Sequence, residues 1–324
     1  MKKELIEKMV RAMKFEPGEV ILLNFWGKEE ELDDLYAIAN AVASVGAFPQ
    51  LMIHSLTYYG QLFQNVKDAF PQKWYQQFDA ADCVIDILCR APGRMPEGLE
   101  NPALYGAYLR GLFQCFSGKK KLIQITMPTK ENAEDAGMEF DVFYDRTVKA
   151  LDIDYDALQR NCQEKVNSFA GNIRTVRTGL DCVLTLDTTG REWYIDAGDG
   201  ALPCGEIYIA PVEENTNGRI FFDVFSVEDL GVFHNVTLQI ENGRIVKTDC
   251  EEFNAFLKEL PEGADIVAEL GIGMNPNVSQ ILGDSAIDEN AVGTFHIAIG
   301  MNHLFGGKNV CPVHFDFVAV GNVE

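Results

Sequence analysis

Four short apolar runs constrain the first half of this chain more than any other feature. Residues 20–25 form a compact apolar, β-branched segment, the mark of a strand buried on both faces. Further strands follow at 49–54, 81–88 and 121–126, and stretches of helical spacing at 30–46, 58–80 and 103–117 separate them. An earlier helix over 5–13 is ended by Pro17 and Gly18. Strands alternating with helices at this interval predict right-handed βαβ units, and hence a mostly parallel sheet with helices on both faces. No G-x-G-x-x-G or GxxxxGK[ST] turn follows the first strand, so a phosphate cradle is not expected. Asp33 and Asp34 read as a charged first helical turn. His54, at a strand end, reads either as a cleft residue or as a core or surface histidine satisfied by a partner.

The pattern changes after residue 170. Short alternating strands separated by turn signals occur at 173–179, 181–187, 192–195, 218–223, 236–240 and 244–249. Asn242-Gly243 is a strong hairpin signal, because a type I′ turn needs positive φ at both central positions. Helices are expected over 251–260 and, briefly, near Asp288-Glu289-Asn290. At 324 residues the chain exceeds a single core. The expected organisation is an α/β domain over 1–165 with a mostly parallel sheet. A mostly antiparallel α+β metal-binding domain over 166–324 follows it.

The second half also carries the chemistry. Three of the five histidines, His296, His303 and His314, fall within twenty residues, and Asp316 follows His314 by two. In an extended strand, residues i and i+2 point to one side, so His314 and Asp316 project together while Phe315 points away. Glycines 300, 306 and 307 permit a tight loop that brings His296 and His303 to the same place. Imidazoles and carboxylates are ligands for Zn²⁺, Fe²⁺ or Mn²⁺. Glu206 and Glu269 each stand beside glycine and proline inside apolar segments, where a carboxylate needs a partner or a metal.

Other residues near these positions carry bland readings beside functional ones. Lys308 could meet a substrate carboxylate or stand in solvent. Asp284 and Asp288 could orient a ligand histidine or lie in a solvated loop, and Cys204 and Cys311 could ligate zinc or pack beside the site. Asn275-Pro276 is expected to be structural, and His234 is not expected to be a ligand.

Composition narrows the partners. The 27 basic and 49 acidic residues give a net charge of −22, which argues against nucleic acid or an anionic membrane. No apolar run reaches a membrane span, and the amphipathic first residues do not resemble a secretory leader, so a cytoplasmic protein is expected. The eight cysteines lack paired spacing and are expected to be reduced and mostly buried.

Four motifs in order resemble the M29 family of metallo-aminopeptidases, the aminopeptidase T and aminopeptidase S group. They are Gly-Glu206-Ile-Tyr-Ile-Ala-Pro, Glu269-Leu-Gly-Ile-Gly-Met-Asn-Pro, Ile287-Asp-Glu-Asn-Ala-Val-Gly-Thr-Phe-His296-Ile-Ala-Ile-Gly and His314-Phe-Asp316. The resemblance covers residues 200–318 and implies an aminopeptidase with two divalent ions, zinc, cobalt or manganese. They would be held by Glu206, Glu269, His296, His314 and Asp316. It implies catalytic work by Glu206 or Glu269, a peptide or small amine as substrate, and a homodimer. Where the family carries a tyrosine after the first histidine, this chain has His303, a better metal ligand and a second candidate for catalysis. Two rival functions remain open. His303, His314 and Asp316 could form the facial triad of a mononuclear Fe(II) ring-cleaving dioxygenase related to 2,5-dihydroxypyridine dioxygenase. The chain could also be a non-catalytic metal-binding homologue.

Overall fold

A computed structural model describes residues 1–94, 99, 101–227, 231–282 and 284–324. The chain divides into two compact units, one of residues 1–152 with 198–203, the other of 153–197 with 204–324. The division falls between Asp152 and Ile153 rather than near residue 165.

The first unit is α/β. Helix α1 (Lys3–Ala12) precedes β1 (Val20–Gly27), α2 (Leu32–Ser44), β2 (Phe48–Ser55), α3 (Leu56–Asn65), α4 (Gln72–Tyr75) and β3 (Cys83–Leu88). Then come α5 (Pro102–Phe116), β4 (Lys121–Thr126), α6 (Lys130–Asp135) and α7 (Phe140–Leu151). The strands pair in parallel, in the order β2-β1-β3-β4. The helical pattern expected over 58–80 is broken. After α3 the chain leaves helical geometry at Val66, and α4 restarts only after Pro71, whose fixed φ suits a helix entry and not a helix interior. One face of the sheet packs Leu22, Trp26 and Val84 against Tyr59, Phe63, Tyr105, Tyr108 and Leu112 of α3 and α5. His54 lies in this core. Its ring stacks on Trp26 at 3.8 Å and its Nε2 is 2.6 Å from the Tyr108 hydroxyl, so of the two expectations the core histidine with a partner holds, through Nε2.

The second unit begins with α8 (Tyr155–Ser168), β5 (Ile173–Arg177), β6 (Val183–Asp187) and β7 (Tyr194–Asp196). The short β8 (Ala201–Leu202) returns to the first unit and pairs in parallel with β4 as a fifth strand. The second unit resumes with β9 (Glu206–Ile209), β10 (Thr216–Val227), β11 (Gly231–Glu241), β12 (Arg244–Thr248), α9 (Glu251–Glu259) and β13 (Val267–Gly273). It ends with α10 (Ser285–Asp288), β14 (Thr294–Gly300), β15 (His314–Val320) and β16 (Asn322–Val323). One antiparallel sheet runs β12-β11-β10-β6-β5-β16 and the other β15-β14-β13-β9-β7. The hairpin turn falls at Asn242 and Gly243, with φ of 50° and 75°, as its dipeptide requires.

The expected fold class, an α/β first part and a mostly antiparallel α+β second part, is the observed one. The phenylalanines Phe222, Phe225, Phe253 and Phe317 pack edge to face and join β10 to the inner face of β15. This core backs the sheet that carries the ligand candidates. The eight cysteines are free thiols, six of them buried. Among the described residues no helix is long and apolar enough to cross a membrane.

Candidate metal centre

Strand register gathers the ligand candidates on one face. In an antiparallel sheet, directly paired residues point to the same side, as do residues two apart along a strand. Glu269 pairs with Ala298, and Ala298 with Asp316. Two residues along, Gly271 pairs with His296 and with Tyr208, which pairs with Tyr194. Glu206 pairs with Gly273 and Asp196, and His314 with Gly300. One face thus presents Glu206, Glu269, His296, His314 and Asp316, together with Asp196, Tyr194 and Tyr208. Phe315 turns the other way and packs on Phe256.

Small residues leave room in the middle of this face. A Cβ at Gly271 would lie 1.8 Å from Nε2 of His296, so the imidazole occupies the space that the glycine leaves. Ala298 stands between Glu269 and Asp316 in its row, and its methyl group leaves the gap between the two carboxylates open.

The side chains meet in two overlapping groups. Glu206, Glu269 and His296 form one, and Glu269, His314 and Asp316 the other. Nε2 of His296 lies 3.2 Å from Glu206 Oε2, 3.1 Å from Glu269 Oε1 and 4.0 Å from Asp316 Oδ1. Nε2 of His314 lies 3.6 Å from both Glu269 Oε2 and Asp316 Oδ1. Nδ1 of His314 donates to the Met301 carbonyl at 2.7 Å, which directs Nε2 to the carboxylates.

The electrostatics are those of a cage built for cations. Burial pushes the Glu269 carboxyl up to about 7 despite its contact with His296. Burial opposes charge on both imidazoles, yet Glu206 and Glu269 hold His296 well above its ordinary value. Asp316 and Glu269 likewise push His314 up to about 9. Asp316 is buried too, but His314 and His296 hold it low. Among the described residues, Nδ1 of His296 is buried with no hydrogen-bond partner, and Oε2 of Glu206 is buried with the His296 imidazole at 3.2 Å beside it. One imidazole N–H cannot satisfy the three carboxylates that face it, which fits divalent ions as the further partners. The donor set of two imidazoles and three carboxylates, with no thiolate, suits Zn²⁺, Mn²⁺, Co²⁺ or Fe²⁺.

His303 belongs to neither group. Gly300, at φ 102°, ends β14 in the left-handed region, and a Cβ there would meet the Val313 carbonyl at 2.2 Å. The chain then turns out through the 3₁₀ turn His303–Phe305, which leaves His303 exposed. The expectation that His303 ligates a metal or acts in catalysis is therefore not matched by its position.

Lys308 reaches the neighbourhood through its backbone N–H, which donates to Glu213 Oε1 at 2.6 Å, while its side chain is exposed. Cys204 and Cys311 are buried outside both groups. Asp288 accepts from the Leu282 N–H, and Asp284 is the N-cap of α10. Asn275 is structural, with Nδ2 donating to the Cys204 carbonyl at 2.7 Å. His234 is exposed on β11.

Three features of the site went unassigned by sequence reasoning. Glu289, just past α10, is held well above the carboxylate range by burial and then by the charges of Glu206 and Asp316. It lies within one of the quoted motifs, which was the available signal. Glu213 is buried and anchors the 302–309 turn, accepting from Asn302 at 3.1 Å, from Lys308 and from Arg191 at 2.6 Å. Tyr208 alternates with apolar neighbours in β9 and reads as core.

The family described as thermophilic metalloprotease (M29) matches residues 117–311, more than half of the chain. The match holds Glu206, Glu269, His296 and Glu289 and stops just short of His314 and Asp316. No curated protein sequence matches the chain. Among solved structures, wild-type AmpT from Thermus thermophilus is similar at a TM-score of 0.67. Its sequence identity is 17%, over 99% of this chain and 97% of that one. The 2,5-dihydroxypyridine dioxygenase of Pseudomonas putida KT2440 gives a TM-score of 0.65 and 14% identity, over 99% and 92% of the two chains. At these identities both structures attest a shared fold. The family match and the clustered ligand set together place this chain in the M29 family of metallo-aminopeptidases.

Proposed function

We propose that this chain removes N-terminal residues from peptides with a co-catalytic pair of divalent ions. The observation that supports a pair is the position of Glu269. Its Oε1 faces His296 at 3.1 Å and its Oε2 faces His314 at 3.6 Å, so a single carboxylate belongs to both ligand groups. Glu206 and His296 would complete one site, and His314 and Asp316 the other. When bound, such a pair supplies a water of lowered pKa and a positive field for the scissile carbonyl.

The remaining work falls to side chains. Glu206 and Glu269 are both committed as ligands. That leaves Glu289, which burial and then the charges of Glu206 and Asp316 hold protonated, as the carboxylate that would take a proton from the water and pass it to the leaving amine once bound ions offset those charges. Asp196, beside Glu206 in register, adds negative charge that favours a free α-amine over an anionic group. Gly271 makes room for the His296 imidazole, and Ala298 keeps the gap between Glu269 and Asp316 clear for the chain terminus. The same reading takes zinc, cobalt or manganese as the ions and a cytoplasmic homodimer as the working form.

Metal analysis of protein purified without chelators, paired with a peptide assay, tests the proposal. About two ions per chain with release of the N-terminal amino acid is the expected result. A single iron per chain with oxygen uptake on a dihydroxylated pyridine ring would overturn it in favour of a dioxygenase. Bound metal with neither reaction would mark a non-catalytic homologue.

A further inference from the structure

We propose that Tyr194, Tyr208 and Phe305 form the wall that receives the side chain of the substrate's first residue, so that large apolar and aromatic N-terminal residues are preferred. The inference rests on the aminopeptidase reading above and names the substrate class of that same site.

Register puts two of these rings on the ligand face. The row Tyr194–Tyr208–Gly271–His296 crosses the sheet in direct pairing, and Gly271 contributes no side chain. Tyr208 is therefore the next side chain in that row after the ligand His296. The Tyr194 and Tyr208 rings stack with centroids 5.4 Å apart. Phe305 arrives from the turn after β14. It meets Tyr208 edge-on at 5.6 Å and His314 edge-on at 5.8 Å. Since Tyr208 sits on β9 and His314 on β15, at opposite sides of the ligand cluster, the Phe305 ring reaches across the face between them.

The turn is built to hold that ring inward. Its neighbour Leu304 is 59% exposed and His303 is exposed, so only the third side chain of the turn is turned in. The buried carboxylate of Glu213 receives Asn302, the Lys308 N–H and Arg191, and Arg191 also donates to the Gly306 carbonyl. An anchor of this kind pre-organises the turn before substrate arrives.

The chemistry of the wall selects its ligand. Tyr194 remains 37% exposed, so the stack ends at an open aromatic face and not inside a closed core. An apolar or aromatic side chain gains ring contacts there, whereas a carboxylate side chain would gain none and would lie on the side of the face that carries the carboxylates of Glu206 and Asp196.

The test compares kcat/KM for p-nitroanilides of Phe, Leu, Ala and Gly with the metal-loaded protein. Phe and Leu should exceed Gly by about 100-fold, and Tyr194→Ala and the milder Phe305→Leu should each reduce the Phe-to-Gly ratio by about tenfold, mainly through KM. Calorimetric titration with free L-phenylalanine, a product that needs no turnover, should weaken by a similar factor in Tyr194→Ala and not in Tyr36→Ala, an exposed tyrosine of the first unit. Hydrolysis of all four substrates with an unchanged ratio in both wall variants would overturn the inference and leave the aminopeptidase reading standing. Hydrolysis of none of them would overturn both.

Discussion

The imidazole of His296 lies directly over Gly271, where a Cβ would sit 1.8 Å from its Nε2. The two residues pair across β13 and β14, so the glycine is what allows this ligand to lie flat against the sheet and reach both Glu206 and Glu269. Gly271 carries ordinary strand backbone, and alanine there meets only a steric obstacle. Gly271→Ala should push the ring off its position and reduce metal affinity and activity by about 100-fold, the scale seen when a ligand loses its support. Metal titration of the folded variant checks this. Unchanged affinity would mean that His296 is not held in this way.

Glu269 joins the two ligand groups, so its loss should differ in kind from the loss of a terminal ligand. Glu269→Ala should remove both ions and all activity. His314→Ala should retain about one ion per chain on Glu206, Glu269 and His296, because that group is left whole. Metal counts per chain on the two variants decide the matter. Equal counts would sink the shared-carboxylate arrangement.

Glu289→Gln should separate chemistry from metal binding. The residue lies outside both ligand groups yet within the electrostatic reach of Glu206, Asp316 and Glu269. Removing a general base costs about 10²- to 10⁴-fold in kcat. The metal content should stay at the wild-type level. Loss of metal together with activity would instead assign Glu289 a ligand role.

How far the sequence revealed this site depends on the distance over which each relationship acts. His314 and Asp316 share a face because strand period two is a local rule, and β15 obeys it. The alignment of Glu269 with Asp316 through Ala298, and of Glu206 with Gly273, is a matter of register between strands far apart in sequence. No local pattern specifies that register: the apolar setting of each glutamate marks it as needing a partner or a metal, and the resemblance to a family assigns both to one site. His303 failed for the converse reason. Closeness in sequence to His296 suggested a shared site, but Gly300 ends the strand and the turn carries the side chain out. Tyr208 was hidden because a buried aromatic in a short apolar strand looks the same whether it packs a core or walls a site. In the first unit the four strands and the alternation were legible from local patterns. The break of 58–80 into two helices lies where Pro71 interrupts the helical spacing.

A pH dependence of stability follows from His54 in the first unit. Burial, aided by the charge of Arg90, pushes its imidazole down to about 3, while in the unfolded chain it returns to about 6.5. The folded state therefore keeps His54 neutral, whereas the unfolded state takes up a proton as pH falls below 6.5. Stability from this residue is fully present above pH 6.5 and is lost progressively as pH falls toward 3, at about 1.4 kcal/mol per pH unit. His54→Phe keeps an aromatic ring over Trp26 and removes the titration. Urea unfolding of metal-free wild type and variant at pH 6 and pH 5 should give a pH slope shallower in the variant by about 1.4 kcal/mol per unit. Equal slopes in the two proteins would show that His54 is not held neutral by the fold.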